Sequence, residues 1–513
     1  MRLHTLNQRI HDIRRLRQIA SVLARYGFGY IVDRLNLGRK LVRLGPIRKL
    51  KVFDLPVSTR IRRVLEELGP TFIKFGQILS TRPDILPIDF CCELEALQDN
   101  VPAFGFDRVE AEISRELKLP MDRLFNDFSR EPVAAASLAQ AHTARLKTGE
   151  KVIVKVQRPG IEKTIHTDLE ILSELARLAE KYIEEIRPYD PVAIVEEFKE
   201  SILKELDFTR EANNIGRFQR QFAGDDTVYI PRYYPEFCSR RILTMERVEG
   251  FKISNLDKIT QAKLNAKKIA ENGARAFLKQ IFEYGFFHAD PHPGNLMVLP
   301  GNRVAFIDFG MIGRIHSETR QLLSDIMVGL VQHDVDKICD RLRALGAVDE
   351  SADLKKFEMD MEDFLDRHFV TALSDFKIGA FLIDLLRIVA THKIHIPSDL
   401  YLLSKAMVII EGVGENLDPN FDMVKLTRPF AQKLVRDKRS PGRLVRDIMN
   451  FGEGFYDSLR TVPRDLKTIF DKLKKGTLKV EFEHRGLENL IAELDKVSNR
   501  VAFSVIVAAI TRS

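Results

Sequence analysis

Residues 288–310 read HADPHPGNLMVLPGNRVAFIDFG, and three side chains able to ligate a metal, His288, Asp290 and His292, open the stretch. Imidazoles would favour zinc. The residues after them argue for other chemistry. Asp290 and Asn295 stand five residues apart and Asn295 and Asp308 thirteen, with the apolar RVAFI leading into Asp308-Phe309-Gly310. Phosphoryl transfer needs a carboxylate to orient or accept the nucleophile's proton. It also needs hard oxygen donors to hold Mg2+ against the phosphates. Asp290 has the first property; Asn295 and Asp308 have the second.

This order and spacing match a kinase catalytic loop followed by D-F-G, so metal hydrolysis is the weaker reading of the same residues. Upstream, Lys155 interrupts VIVKV, the pattern of a buried strand. A lysine there is costly unless paired; a nucleotide phosphate and a carboxylate would both satisfy it. The alternative is an edge lysine whose ammonium reaches water. TMERVEG (244–250) suits the strand-to-hinge segment that meets adenine, through the backbone of Glu246 and Val248. Where kinases carry a glycine-rich phosphate loop, this chain has Ala134, Ala135, Ala136 and Ser137. Alanine resists positive φ, so such a loop would hold nucleotide in a different pose, or else be a small-residue packing turn.

The elements that must position these residues emerge from periodicity. Residues 60–87 and 107–126 read as helices, and 133–160 as a hairpin followed by a strand. Residues 161–186 and 191–222 read as two long amphipathic helices, 240–250 as a strand, 261–287 as a helix, and the rest to about 475 as mostly helical. The plan is a small sheet-bearing lobe followed by a larger helical one.

A chain of 513 residues, 45% hydrophobic and 30% charged, is long enough for two or three folded domains. The four cysteines, Cys91, Cys92, Cys238 and Cys339, form no metal-type pair and suit a reducing compartment. No 20-residue apolar run appears. Charge is uneven: residues 1–63 hold 16 Lys and Arg against 3 Asp, a net +13, while the whole chain is +7. The remainder is therefore net negative. Apolar residues recur at helical spacing in IASVLARYGFGYIVDRL, so this arm reads as a basic amphipathic helix for an anionic phospholipid surface. The competing reading packs it on its own protein. The arm mixes in long apolar side chains and carries no recognised nucleic-acid motif, which argues against that class of partner.

Over roughly residues 60–320 the chain resembles the UbiB family of atypical kinase-like proteins, tied to ubiquinone biosynthesis. KFGQ (74–77) is similar to its K-x-G-Q motif, AAASLAQAH (134–142) to its alanine-rich loop, and ELDFTREA (205–212) to its E-x-D motif with the helix glutamate. HADPHPGN and DFG complete the order. Small-molecule kinases share the H-x-D-x-H-P-x-N string but lack K-x-G-Q. The resemblance implies ATP and Mg2+ as cofactors. Lys155 would contact phosphates and pair with Glu211, Asp290 would be the catalytic aspartate, and Asn295 and Asp308 would hold Mg2+. Lys74 would reach the active site beside Glu205 and Asp207, from an extension that covers the place where a polypeptide substrate would dock. The residues alone leave Lys74 equally open to being a solvated helix lysine. The short run after Gly310, with no A-P-E, independently argues against a polypeptide platform.

Family members usually end in hydrophobic membrane segments. Here the apolar run is Val501–Ile510, ten residues against the roughly 20 a spanning helix needs. Either the anchor is cut short or the tail dips into the interface. The expected fold is a two-lobed, kinase-like α/β (α+β) domain with a helical extension and a helical C-terminal region. The expected division is a basic arm (1–57), the K-x-G-Q extension (58–126), an N-lobe with a helical insert (127–250), a C-lobe (251–425) and the C-terminal region (426–513). The expected function is an Mg2+-dependent ATPase or atypical kinase supporting ubiquinone biosynthesis on the cytoplasmic face of the inner membrane. Its partners would be ubiquinone-precursor lipids, other proteins of that biosynthesis and a second copy of the chain. A kinase for a small molecule or lipid head group, and a nucleotide-binding pseudokinase scaffold, are the competing readings.

Overall fold

The computed structural model describes residues 2–35, most of 55–97, 101–316 and most of 319–438. Residues 36–54 of the arm and residues 439–513, with the apolar run, lie outside the described residues. By contacts the chain divides into Met1–Val435 and Arg436–Ser513.

The arm holds helices α1 (Arg2–Arg25) and α2 (Gly29–Arg34). Of the side chains described there, Ile19, Val22, Tyr26 and Phe28 join a core with Leu65, Leu68, Phe72 and Ile165, and Val32 and Leu35 pack near Leu175 and Leu178, while Ile13 and Tyr30 stay exposed. Charge takes the same course. Arg15 bonds both oxygens of the buried Asp168 at 2.7 and 3.0 Å, Arg25 pairs with Glu67, and Arg34 with Glu185. Most of the described apolar face expected to lie on lipid is therefore taken up by the protein itself. A periodic apolar stripe fits a core and a bilayer equally well, which is why the pattern misled. Among the described residues no helix is long and apolar enough to cross a membrane.

The single helix expected at 60–87 is two, α3 (Val57–Leu68) and α4 (Pro70–Leu79), separated at Gly69, whose φ of 95° a side chain would resist, and started again by Pro70 at the first helical position. Helix α5 (Ile88–Glu95) is next, and then α6 (Phe106–Leu117). The helix expected over 107–126 is α6 together with a one-turn helix and strand β1 (Phe125–Phe128).

Strands β2 (Ala134–Ala135), β3 (Ala139–Leu146), β4 (Lys151–Gln157) and β6 (Ile242–Glu246) form the N-lobe sheet with β1, in the order β1-β3-β4-β6, with β2 added on β3. The pairings are antiparallel. Alternation along β4 sends Val152, Val154 and Val156 into a core with Val109 and Ile113 of α6, leaving Ile153 and Lys155 on the other face. Helix α7 (Ile161–Tyr182) then leads to α8 (Pro191–Glu205) and α9 (Phe208–Gln221). The continuous helix expected over 191–222 is broken because the Asp207 carboxylate accepts from the Thr209 amide (3.1 Å) and caps a new start.

In the second lobe, helix α10 (Ala266–Lys279) ends in a wide π turn, Gln280–Tyr284. Strand β8 (Phe286–His288) comes next, so the 261–287 expectation is also shortened. Strands β9 (Leu296–Leu299) and β10 (Arg303–Phe306) form a hairpin whose turn places Gly301 and Asn302 at φ of 81° and 60°, the twist a tight hairpin favours. They join β5 (Val228–Tyr229) and β7 (Phe251–Lys252) in one sheet. Beyond β11 (Ile312–Arg314) the described elements are mainly helical, among them α11 (Leu354–Phe369), α12 (Ile378–Thr391) and α13 (Ser398–Leu417). This is the two-lobed kinase-like plan.

Candidate nucleotide site

Strand β4 carries Lys155 into the cleft and helix α9 carries Glu211 to meet it: Nζ lies 2.9 and 3.0 Å from the two carboxylate oxygens. Asp308 Oδ2 stands 3.6 Å from the same ammonium. Burial pulls the Lys155 pKa down, but Asp308 and Glu211 more than reverse this and keep the side chain charged. Burial pushes the Asp308 carboxyl up; Lys155, the Gly310 amide, His288 and Lys74 overcome it and bring the pKa to about 2. Glu211 is 5% exposed, and its burial pushes it up against the pull of Lys155.

The β9–β10 hairpin explains how residues thirteen apart share one end of the cleft: Ile307 N–H donates to the Asn295 carbonyl at 3.1 Å. The Asn295 amide donates to the Asp290 carbonyl (3.1 Å) and carboxylate (3.3 Å), which aims Asp290 and leaves the Asn295 side-chain oxygen for a cation. Asp308 Oδ1 accepts from the Gly310 amide at 2.9 Å, while its side chain keeps 40% exposure. One neutral and one anionic oxygen donor suit Mg2+, which keeps waters and takes further ligands from phosphates. His288 is no metal ligand. It is buried, its Nδ1 accepts from the Asp290 amide (3.2 Å), and its Nε2–H donates to the Asp308 carbonyl; burial lowers its pKa and keeps it neutral. His292 Nδ1 accepts from the Gly294 amide. Among the described residues no three His, Cys, Asp or Glu side chains converge on a metal position.

Lys74, on α4, lies 2.8 Å from Glu205 at the end of α8. Its charge also pulls on Asp308, and that of Glu205 on Lys155. One electrostatic cluster thus joins the extension to the cleft. Asp207 serves as the cap of α9. Gly76 permits this placement: a Cβ there would meet Leu97 at 2.3 Å and Leu65 at 2.7 Å. Gln77 donates to the Leu97 carbonyl at 3.1 Å.

Ala134 and Ala135 pair with Ala141 and Gln140, and the Ala136 amide donates to the Ala139 carbonyl at 2.8 Å. None of Ala134, Ala135, Ala136 or Ser137 takes a positive φ, as their Cβ atoms require. Glu246 ends β6, and its carboxylate accepts from the Tyr229 hydroxyl (2.5 Å) and the Arg232 amide (3.1 Å); Val248 lies in the connection to Gly250. A Cβ at Gly250 would meet the Val298 carbonyl at 2.5 Å, so that connection runs close over β9.

Sequence reasoning missed Asn214, whose amide donates to the Phe309 carbonyl at 3.0 Å, and Gln157, which donates to the Leu206 carbonyl at 2.7 Å and fixes the turn between Glu205 and Asp207. A buried amide side chain at the end of an apolar strand was the available signal for Gln157. After Asp308-Phe309-Gly310, β11 pairs with β8, and Gly313 lies where a Cβ would overlap the Phe287 ring.

Fold and site together define an atypical kinase-like protein. The ABC1 atypical kinase-like domain matches residues 96–342, and the UbiB helical domain matches residues 361–422. A probable protein kinase UbiB from Pseudomonas aeruginosa is 36% identical over 449 residues, covering 85% of this chain and 84% of its own. The protein of that name from Aeromonas salmonicida is 31% identical over 501 residues (95% and 90%). An uncharacterized protein, sll1770 of Synechocystis sp., is 36% identical over 446 residues (85% and 75%). The solved Rv3197–erythromycin complex from Mycobacterium tuberculosis aligns at TM-score 0.48 and 23% identity over 71% of this chain and 93% of that one. The chain belongs to the UbiB family of atypical kinase-like proteins.

Proposed function

We propose that this protein is an Mg2+-dependent ATPase that supports ubiquinone biosynthesis at the periphery of a membrane. The observation that carries the catalytic part is the Lys155–Glu211–Asp308 cluster beside the Asn295–Asp290 pair. Lys155 would bind the phosphates, held extended by Glu211. Asp290, aimed by the Asn295 amide, would orient the attacking oxygen and take its proton. Asn295 and Asp308 would hold Mg2+, which supplies neutralisation of phosphate charge. Water is the favoured acceptor because Lys74 and Glu205 occupy the approach from the extension. The membrane part rests on the excess charge of the arm and on the family, since most of the described apolar face of α1 and α2 is used internally. The proposed division of the chain is at residues 57, 126, 250 and 425; of these bounds 250 falls between β6 and β7, while 126 lies within β1 and 425 within the helix Met423–Lys438.

The test is phosphate release from Mg-ATP, with and without anionic liposomes and a ubiquinone-precursor mimic, in the parent and Asp290→Asn. Release in the parent, reduced by a factor of ~10² or more in the variant and raised by the additions, supports the reading. A phosphorylated small molecule or lipid in place of free phosphate would move the protein to the kinase reading. Nucleotide binding without turnover would make it a scaffold.

A further inference from the structure

Resting on the nucleotide-site reading, we propose that Arg158 is a positioning residue that clamps the alanine loop to the N-terminal extension and thereby sets which nucleotide the site prefers. Arg158 lies just past β4, three residues after Lys155. Its backbone N–H donates to the Leu138 carbonyl at 2.8 Å. Its Nη2 donates to the Ala136 carbonyl at 3.4 Å and to the Pro102 carbonyl at 3.0 Å. The guanidinium lies 5.3 Å from the centre of the Phe104 ring. One side chain therefore joins the loop tip to the segment that leaves the extension.

Two further contacts make the join rigid. Gln140, opposite Ala135 in the hairpin, accepts from the Phe104 amide (2.9 Å) and donates to its carbonyl (3.2 Å). Leu138, at the tip, is buried in the core that contains Phe72 and Ile73 of α4, the helix that carries Lys74. A phosphate-covering loop normally has a free tip; here the tip is held on both sides by groups that are not nucleotide. Among the described residues Arg158 has no carboxylate partner, and its buried Nε bonds to nothing. A half-buried guanidinium without an anion is a poor contributor to stability, which points to positioning. Because the β- and γ-phosphates differ in how far they extend under such a loop, its height should act on ATP and ADP unequally.

The test uses the full chain and measures the dissociation constants of Mg-ATP and Mg-ADP for the parent, Arg158→Ala, Arg158→Lys and Leu138→Ala. Freeing the loop should change the ATP/ADP affinity ratio by a factor of ~5–10, a difference of about 1.0–1.4 kcal/mol, in Arg158→Ala. Leu138→Ala, which frees the tip from the other side, should move it in the same direction. Arg158→Lys, which retains a donor, should restore at least part of the parent ratio. Equal weakening of both nucleotides, or an unchanged ratio in both alanine variants, overturns the proposal while leaving the nucleotide site intact. Should Arg158→Ala not fold, Leu138→Ala decides alone. A folded parent that binds neither nucleotide overturns the site reading and this inference with it.

Discussion

Replacing Lys155 by Met should destabilise helix α9 more than any surface change, because Glu211 would be left buried beneath it without its cation. Glu211 is 5% exposed and receives both of its short contacts from Lys155; the Phe309 amide, at 3.5 Å, is a weak remaining donor. Removing one member of a buried pair costs about 3–5 kcal/mol. That is a roughly 150- to 5,000-fold larger population of the opened state. The cost should depend on pH. Without Lys155, the Glu211 carboxyl titrates in the fold well above its unfolded value, so stability is retained below the unfolded pKa and lost as pH rises through the folded one. The deficit should therefore be small in acid and largest at neutral pH. Replacing both residues, Lys155→Met with Glu211→Leu, should recover most of it, although neither variant should bind nucleotide as the parent does. Hydrogen exchange of the Phe208–Gln221 amides reads this locally, which suits a chain of two units better than a single unfolding midpoint. Exchange in Lys155→Met within threefold of the parent at neutral pH, or a double variant no better protected than the single, would refute the argument.

Asp308→Asn should abolish the Mg2+-dependent part of nucleotide binding, read as the thermal shift on adding Mg-ATP; an unchanged shift in a folded variant removes Asp308 from the cation site. With the folded pKa of Asp308 lowered to about 2, its contribution to stability should be present above the unfolded value of ~4 and lost as pH falls from there through the folded one, so acid titrations of parent and variant should converge only below the folded pKa. Gly76→Ala should cost about 1–3 kcal/mol by overpacking Leu97 and Leu65 and, by shifting α4, should change the ATPase rate; chemical denaturation and phosphate release check both. Glycine at Ala134, Ala135 or Ala136 should lower stability by about 0.5–1 kcal/mol and alter nucleotide preference, whereas three variants binding ATP and ADP as the parent does would make the loop structural only. In liposome co-sedimentation, binding should require anionic lipid and weaken with salt, as the Debye length falls to about 3 Å at 1 M. A chain starting near residue 58 should lose the salt-sensitive part, but it should also be less stable because α1 and α2 complete a core.

Much of the site was legible because its chemistry is written locally. The buried-strand pattern of VIVKV marked Lys155 as an interior lysine in need of a partner, and the thirteen residues from Asn295 to Asp308 span one hairpin. Less was legible where a signal has two physical solutions. The arm's apolar stripe could be buried by lipid or by protein, and only Asp168, more than a hundred residues away, shows why Arg15 turns inward. Helical periodicity ran straight through Leu206-Asp207, and the break there depends on one capping carboxylate and on Gln157 holding the Leu206 carbonyl. Such ties join residues far apart in sequence and leave no periodic trace.

The pairing of β11 with β8 bears on control. In many kinases the stretch after D-F-G is slack until a phosphate group meets an arginine and draws it into place. In this protein the same stretch is already zipped, Ile312 to His288 and Arg314 to Phe286, with Gly313 seated against the Phe287 ring. A modification arriving there would find nothing to tidy. On the proposed ATPase reading, control would then fall to whatever touches α4, whose Lys74 reaches the charges of the cleft from the N-terminal layer.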